Sequence, residues 1–78
     1  MKSQLILYVG NNCHLCSDAE ELLKPLLAKK DLTLSKINIC GDSILQDAYG
    51  LRIPVLKLRS GKEYNWPFNL SVLDNEIY

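Results

Sequence analysis

The stretch Val9-Gly10-Asn11-Asn12-Cys13-His14-Leu15-Cys16-Ser17-Asp18-Ala19-Glu20 decides how this chain folds. Before it, Leu5 to Val9 is a short β-friendly run, and Gly10-Asn11-Asn12 is turn chemistry. After it, apolar residues recur at Leu15, Ala19, Leu22, Leu23 and Leu26, which is helical spacing. Cys13 is therefore expected at or beside a helix N-terminus. Backbone N–H groups are unpaired there and the helix dipole is positive. The dipole contributes up to about 2 kcal/mol and a pKa unit is worth about 1.4 kcal/mol, so a thiol there is favoured as thiolate by roughly one unit. Cys16 falls in the first turn, within reach of a disulfide formed on Cys13. A strand, a two-cysteine turn and a helix make a redox site as well as a structural one.

Working outward, Lys2 to Val9 reads as a central strand, because Leu5-Ile6-Leu7-Tyr8-Val9 is continuously apolar. Residues 14 to 30 read as the first helix, with acids early and Lys24, Lys29 and Lys30 late, as the dipole prefers. Pro25 removes one backbone donor and predicts a kink rather than a break, since the leucine stripe continues across it. A second strand follows up to Cys40. Its alternation slips phase between Leu34 and Ile37, which places its start near Thr33 or Leu34. Gly41-Asp42-Ser43 is a turn and N-cap, residues 44 to 49 a short helix, and Gly50 its stop. Ile53 to Leu58 reads as strand three, Arg59-Ser60-Gly61-Lys62 as a hairpin, and Glu63 to Trp66 as strand four, ended by Pro67. Asn69 caps a last helix to about Asn75, burying Leu70, Leu73 and Ile77. The order β-α-β-α-β-β-α predicts an α/β fold: a four-stranded mixed sheet flanked by helices, its first two strands parallel and its last two an antiparallel hairpin.

Composition narrows the function. Seventy-eight residues with no linker or repeat make one domain, 1–78. Formal net charge is zero with both signs interspersed, so no nucleic-acid face is visible. No run reaches membrane-spanning length, and no signal peptide is evident. The chain is expected to be a cytoplasmic monomer. In that compartment a two-cysteine pair is catalytic or metal-binding rather than a staple. Zinc normally needs four ligands, and beyond the pair only Cys40 and His14 remain, so no metal is assigned. His14 is a candidate for tuning the Cys13 thiolate, with a solvated side chain as the alternative. The third cysteine, Cys40, reads as a small buried filler.

Two motifs together resemble the thioredoxin superfamily, closest to its small glutaredoxin-like branch. They are Cys13-His14-Leu15-Cys16 after the first strand and Tyr49-Gly50-Leu51-Arg52-Ile53-Pro54 before the third. The Trp66-Pro67-Phe68 segment resembles a glutaredoxin-like bacterial family. The resemblance implies a thioredoxin-like fold and a cis bond at Pro54, packed opposite the cysteines. It also implies an Ile53 backbone that pairs with an extended substrate. Arg52, Trp66 and Asn69 are the further candidates for substrate binding, Arg52 as an anchor for a carboxylate.

The implied activity is thiol–disulfide exchange. Cys13 attacks a protein or low-molecular-weight disulfide, and Cys16 resolves the mixed disulfide. No tightly bound cofactor is expected; electrons come from glutathione or a reductase. Glutathione is expected to bind weakly. The lysine that many glutaredoxins carry before the first cysteine is absent, and Pro67 stands where they offer a glycine pair. Two other classes fit less of the chain: a metal or iron–sulfur carrier using Cys13, and a non-catalytic adaptor that binds a peptide beside Ile53.

Overall fold

The computed structural model describes residues 4–76. Along the chain run β1 (Gln4–Val9), α1 (His14–Lys30), β2 (Thr33–Asn38), α2 (Ser43–Tyr49), β3 (Val55–Lys57), β4 (Glu63–Asn65) and α3 (Leu70–Glu76). One sheet holds the strands in the order β2-β1-β3-β4. β2 lies parallel to β1, and β3 is antiparallel to both β1 and β4. This is the α/β architecture, a mixed four-stranded sheet flanked by helices, expected from the order of elements. The expectations for Lys2, Ser3 and Ile77 lie outside the described residues.

β1 is central because both of its faces are apolar. Leu5 and Leu7 point to one face and join Ala19, Leu23 and Leu26 of α1 and Leu73 of α3 in the larger core. Tyr8 points to the other face, against Ile39, Tyr49 and Val55. The period of two sorts these side chains, and register carries the sorting across the sheet. Leu7 is paired with Leu56, and Tyr8 with Val55. Leu5, Leu7, Leu23 and Leu56 are almost wholly inaccessible. Truncating any of them to alanine would cost about 2–5 kcal/mol.

α1 runs unbroken through Pro25, whose ring lies on the exposed side. The buried stripe of Ala19, Leu23 and Leu26 holds the helix to the sheet across the lost backbone bond. Asp31 ends the helix in a left-handed conformation, and the Leu32 N–H returns to the Leu27 carbonyl at 2.9 Å. In α2 the N-cap is Asp42, whose carboxylate accepts the N–H groups of Ile44 and Leu45, both at 3.1 Å. The third strand is shorter than its sequence suggests, starting at Val55 rather than Ile53. The Ile53 N–H instead donates to the Tyr49 carbonyl at 3.1 Å, which ties it to the end of α2. The Ile53–Pro54 bond is cis, as the resemblance implied; Trp66–Pro67 is also cis, which was not expected.

Candidate functional site

The loop between β1 and α1 is shaped to present Cys13. Asn12 adopts a left-handed conformation (φ 52°), one that asparagine tolerates better than most residues. Cys13 follows in extended conformation and is the N-cap of α1. Its Sγ accepts the backbone N–H of Cys16 at 3.1 Å, the place a capping oxygen would take. Cys13 and Cys16 are joined as a disulfide with Cα atoms 5.2 Å apart. Cys13 is half-buried, whereas Cys16 is only 5% exposed. The outer sulfur is the one that an incoming group meets. The same Cys16 amide favours negative charge on that sulfur once the pair is reduced.

Gly10 has a steric reason to be glycine. A Cβ there would lie 2.6 Å from Cδ1 of Ile53. Ile53 therefore rests on the loop that carries the cysteines, and Pro54 behind it is fully buried. Because the Ile53 N–H is spent on Tyr49, one of the two backbone groups that would pair with a substrate is already engaged.

The other candidates are distributed more widely. His14 is 88% exposed and faces Asp18 on the next turn at 3.5 Å, turned outward along α1. Arg52 is folded back on its own neighbourhood. Its Nη2 donates to the Ala48 carbonyl at 3.0 Å, and its guanidinium stands 5.1 Å from the centre of the Tyr49 ring. It also lies 4.0 Å from Glu63. Trp66 is half-buried and meets buried Phe68 edge-on at 5.4 Å. Asn69 caps α3 through its Oδ1, which accepts the Ser71 N–H at 2.9 Å. Structure thus brings Cys13 and Cys16 together and puts Ile53 against the same loop, while the His14 ring faces Asp18. Arg52, Trp66 and Asn69 make local contacts instead.

Cys40 corrects the sequence reading: it is exposed, not buried. β2 ends at Asn38, so Cys40 falls in the turn beyond the sheet, while Ile39 takes the buried place. The Asn11 N–H points at its Sγ at 3.5 Å, and Asn38 ties the same loop down by donating to the Asn11 Oδ1 at 2.8 Å.

Sequence reasoning missed an open groove of about 520 Å³ on the β2 side of the disulfide. Gly10, Cys13, Cys16, Ser17, Glu20 and Lys36 are among its walls. Lys36 spans from β2 to α1, with Nζ 3.3 and 3.2 Å from the two Glu20 oxygens. The signal was the phase slip between Leu34 and Ile37. Lys36 pairs with Leu7 and shares its face, so a lysine occupies a position in the apolar phase.

Comparison with known proteins places these features. The family model described as Glutaredoxin-like domain (DUF836) matches residues 4–78. An X-ray structure of the protein XcR50 from X. campestris is 39% identical, with 92% of each chain covered and a TM-score of 0.75. The solution structure of protein Ne2328 from Nitrosomonas europaea is 29% identical, covering 100% of this chain and 94% of its own, with a TM-score of 0.86. Thioredoxin 1 from Thermosipho africanus shares the fold at 13% identity and a TM-score of 0.67, over 92% and 86% of the two chains. No curated protein sequence matches the chain significantly.

Proposed function

We propose that this chain, which belongs to the glutaredoxin-like domain family, is a small thiol–disulfide oxidoreductase working through Cys13 and Cys16. One observation carries the reading: a half-buried sulfur at a helix N-cap, hydrogen-bonded by the Cys16 amide and bonded to a buried partner sulfur. Reduced, Cys13 attacks a substrate disulfide as thiolate, expels one substrate thiolate and holds the other as a mixed disulfide. Cys16 then gives up its proton, attacks the Cys13 sulfur and releases the second substrate thiol. Two electrons pass to the substrate and the protein is left oxidised. An external thiol or a reductase returns it to the dithiol. The chain works in the cytoplasm as a monomer, with protein or low-molecular-weight disulfides as substrates and no tightly bound cofactor.

Glutathione is a weak reductant for it. Arg52, the cation next to Ile53 in the chain, is held by Ala48, Tyr49 and Glu63. Pro67 has no N–H to offer. Each missing charge-assisted hydrogen bond costs about 1.5–3 kcal/mol, or tenfold and more in affinity. The test is reduction of insulin disulfides by dithiothreitol, with and without the protein, then with glutathione as sole reductant. Strong acceleration with dithiothreitol and little with glutathione is expected. Absence of acceleration with either would remove the oxidoreductase reading.

A further inference from the structure

Lys36 and Glu20 are not used by the reaction as described. Their positions are nonetheless unusual. Lys36 shares the face on which Leu5, Leu7 and Leu34 build the main core, and an apolar residue there would extend it. An ion pair whose members are 51% and 35% exposed adds little to stability in return. Departures from the apolar pattern of this kind concentrate at functional positions. Both side chains line the groove that opens on Cys13 and Cys16.

We propose that the Glu20–Lys36 pair recognises the free α-amino acid head of a low-molecular-weight disulfide, its ammonium at Glu20 and its carboxylate at Lys36. The proposal rests on the oxidoreductase reading and names the substrate class. Charge decides between candidate ligands. A carboxylate alone would gain from Lys36 but be repelled by Glu20, 3.2 Å from the lysine Nζ. An ammonium alone meets the converse problem. A head that carries both charges lies antiparallel to the pair and gains at each end. The remaining polar groups do not upset this balance: His14 faces Asp18, Ser17 and Asn12 are neutral, and Tyr8 of β1 belongs to the opposite face of the sheet.

Reach is also right. Glu20 stands seven residues past Cys13, about 10 Å along the helix axis at roughly 1.5 Å per residue. Helical side chains lean back towards the N-terminus, so its carboxylate covers the turn that holds Cys16 and Ser17. The head of cystine, on its short arm, fits between that point and the reacting sulfur. Reduced protein and one cystine give oxidised protein and two cysteines. The two cysteine thiols take up the protons lost by Cys13 and Cys16, and dithiothreitol resets the protein.

The experiment compares four disulfides with dithiothreitol as reductant: cystine, cystamine, 3,3′-dithiodipropionate and neutral 2-hydroxyethyl disulfide. Each kcat/KM is divided by the rate of the same disulfide with dithiothreitol alone. Cystine should exceed the neutral compound about tenfold, equivalent to about 1.4 kcal/mol, and the two compounds whose heads carry only one sign of charge should fall below cystine. Lys36→Met and Glu20→Gln should each bring the ratio of cystine to neutral disulfide to about one. The exchanged double variant, Glu20→Lys with Lys36→Glu, should recover part of it, because the head can bind reversed. Equal turnover of all four, or a lead for either the all-cationic or the all-anionic compound, would overturn the proposal while leaving the redox reading intact. No turnover of any of them would remove the redox reading itself.

Discussion

On the β2 flank of Cys13 the chain leaves an open groove with one cation and one anion in its wall, whereas the Pro54 flank is closed upon itself. There Ile53 rests on Gly10, Arg52 caps the end of α2, and Tyr49 lies between the Tyr8 ring at 4.2 Å and a hydrogen bond to Glu63. The closed flank holds the cysteine loop in place, and the open flank presents an exposed ion pair, Lys36 with Glu20, that a ligand can reach. The proline motif was the more recognisable of the two in sequence. Its neighbours nevertheless spend their polar groups internally, so recognisability and availability for binding are separate properties.

The sharpest break between the two flanks comes from the sulfurs that they share. Cys13→Ser should lower disulfide turnover by on the order of 10³ or more, as loss of a nucleophile does in covalent enzymes. Cys16→Ser should still complete the first attack and accumulate a mixed disulfide that mass spectrometry detects. In the reduced protein, alkylation at mildly acidic pH should label Cys13 ahead of both buried Cys16 and exposed Cys40. First labelling of Cys40 would mean that exposure, not the helix N-terminus, governs reactivity here.

Gly10 tests the closed flank directly. Valine there must push Ile53 aside, since even a Cβ would approach its Cδ1 to 2.6 Å. Cδ1 is the mobile end of a half-buried side chain, so the cost should be at most about 1 kcal/mol, the low end for overpacking. The loss should be visible as a lower urea midpoint, and Ile53→Ala in the same chain should recover part of it. If Ile53→Ala recovers none of the loss, the loop rather than Ile53 is what yields.

Tyr49 separates the flanks by pH. Its hydrogen bond to Glu63 comes first, then burial and Tyr8, and together they raise its phenol well above the ordinary value near 10. A raised folded-state pKa means stability that is whole below the unfolded value. It is lost as pH climbs past about 10 towards the folded value. The slope approaches about 1.4 kcal/mol per pH unit for one proton. Thermal melts of the wild type should fall across this alkaline window, and Tyr49→Phe should fall less. Equal slopes would mean that Tyr49 is not the group responsible.

The frame was legible because its signals are local. Leu5 to Val9, the stripe through Leu23 and Leu26, and the turns at Gly41 and Gly61 each act within a few residues. The two cysteines were legible for the same reason, since a cap and a first turn are read from adjacent positions. Lys36 was not legible, because its meaning depends on register. Only when Leu7 is paired with it does the phase slip become a lysine facing α1 and meeting Glu20. Cys40 was misread because β2 stops at Asn38, two residues before it, and the chain beyond the strand buries Ile39 and leaves Cys40 in solvent. Asn69 announced its cap correctly, and that local role accounts for its side chain without a ligand.

Arg52 gives the smallest and most discriminating expectation. It is the cation next to Ile53, and sequence alone offered it as an anchor for a substrate carboxylate. In the folded chain its guanidinium donates to the Ala48 carbonyl and lies over the Tyr49 ring, 4.0 Å from Glu63. A substrate would have to win it from these contacts. Its charge also complements the negative end of α2, an interaction worth about 0.3–1 kcal/mol. Arg52→Ala should therefore lower stability slightly and change kcat/KM for a carboxylate-bearing disulfide by less than about twofold, since no charge-assisted hydrogen bond to substrate is lost. Lys36→Met, measured beside it on cystine, should show the larger kinetic change and the smaller stability change. A tenfold kinetic loss in Arg52→Ala would move the binding face to the Pro54 flank and reverse the comparison.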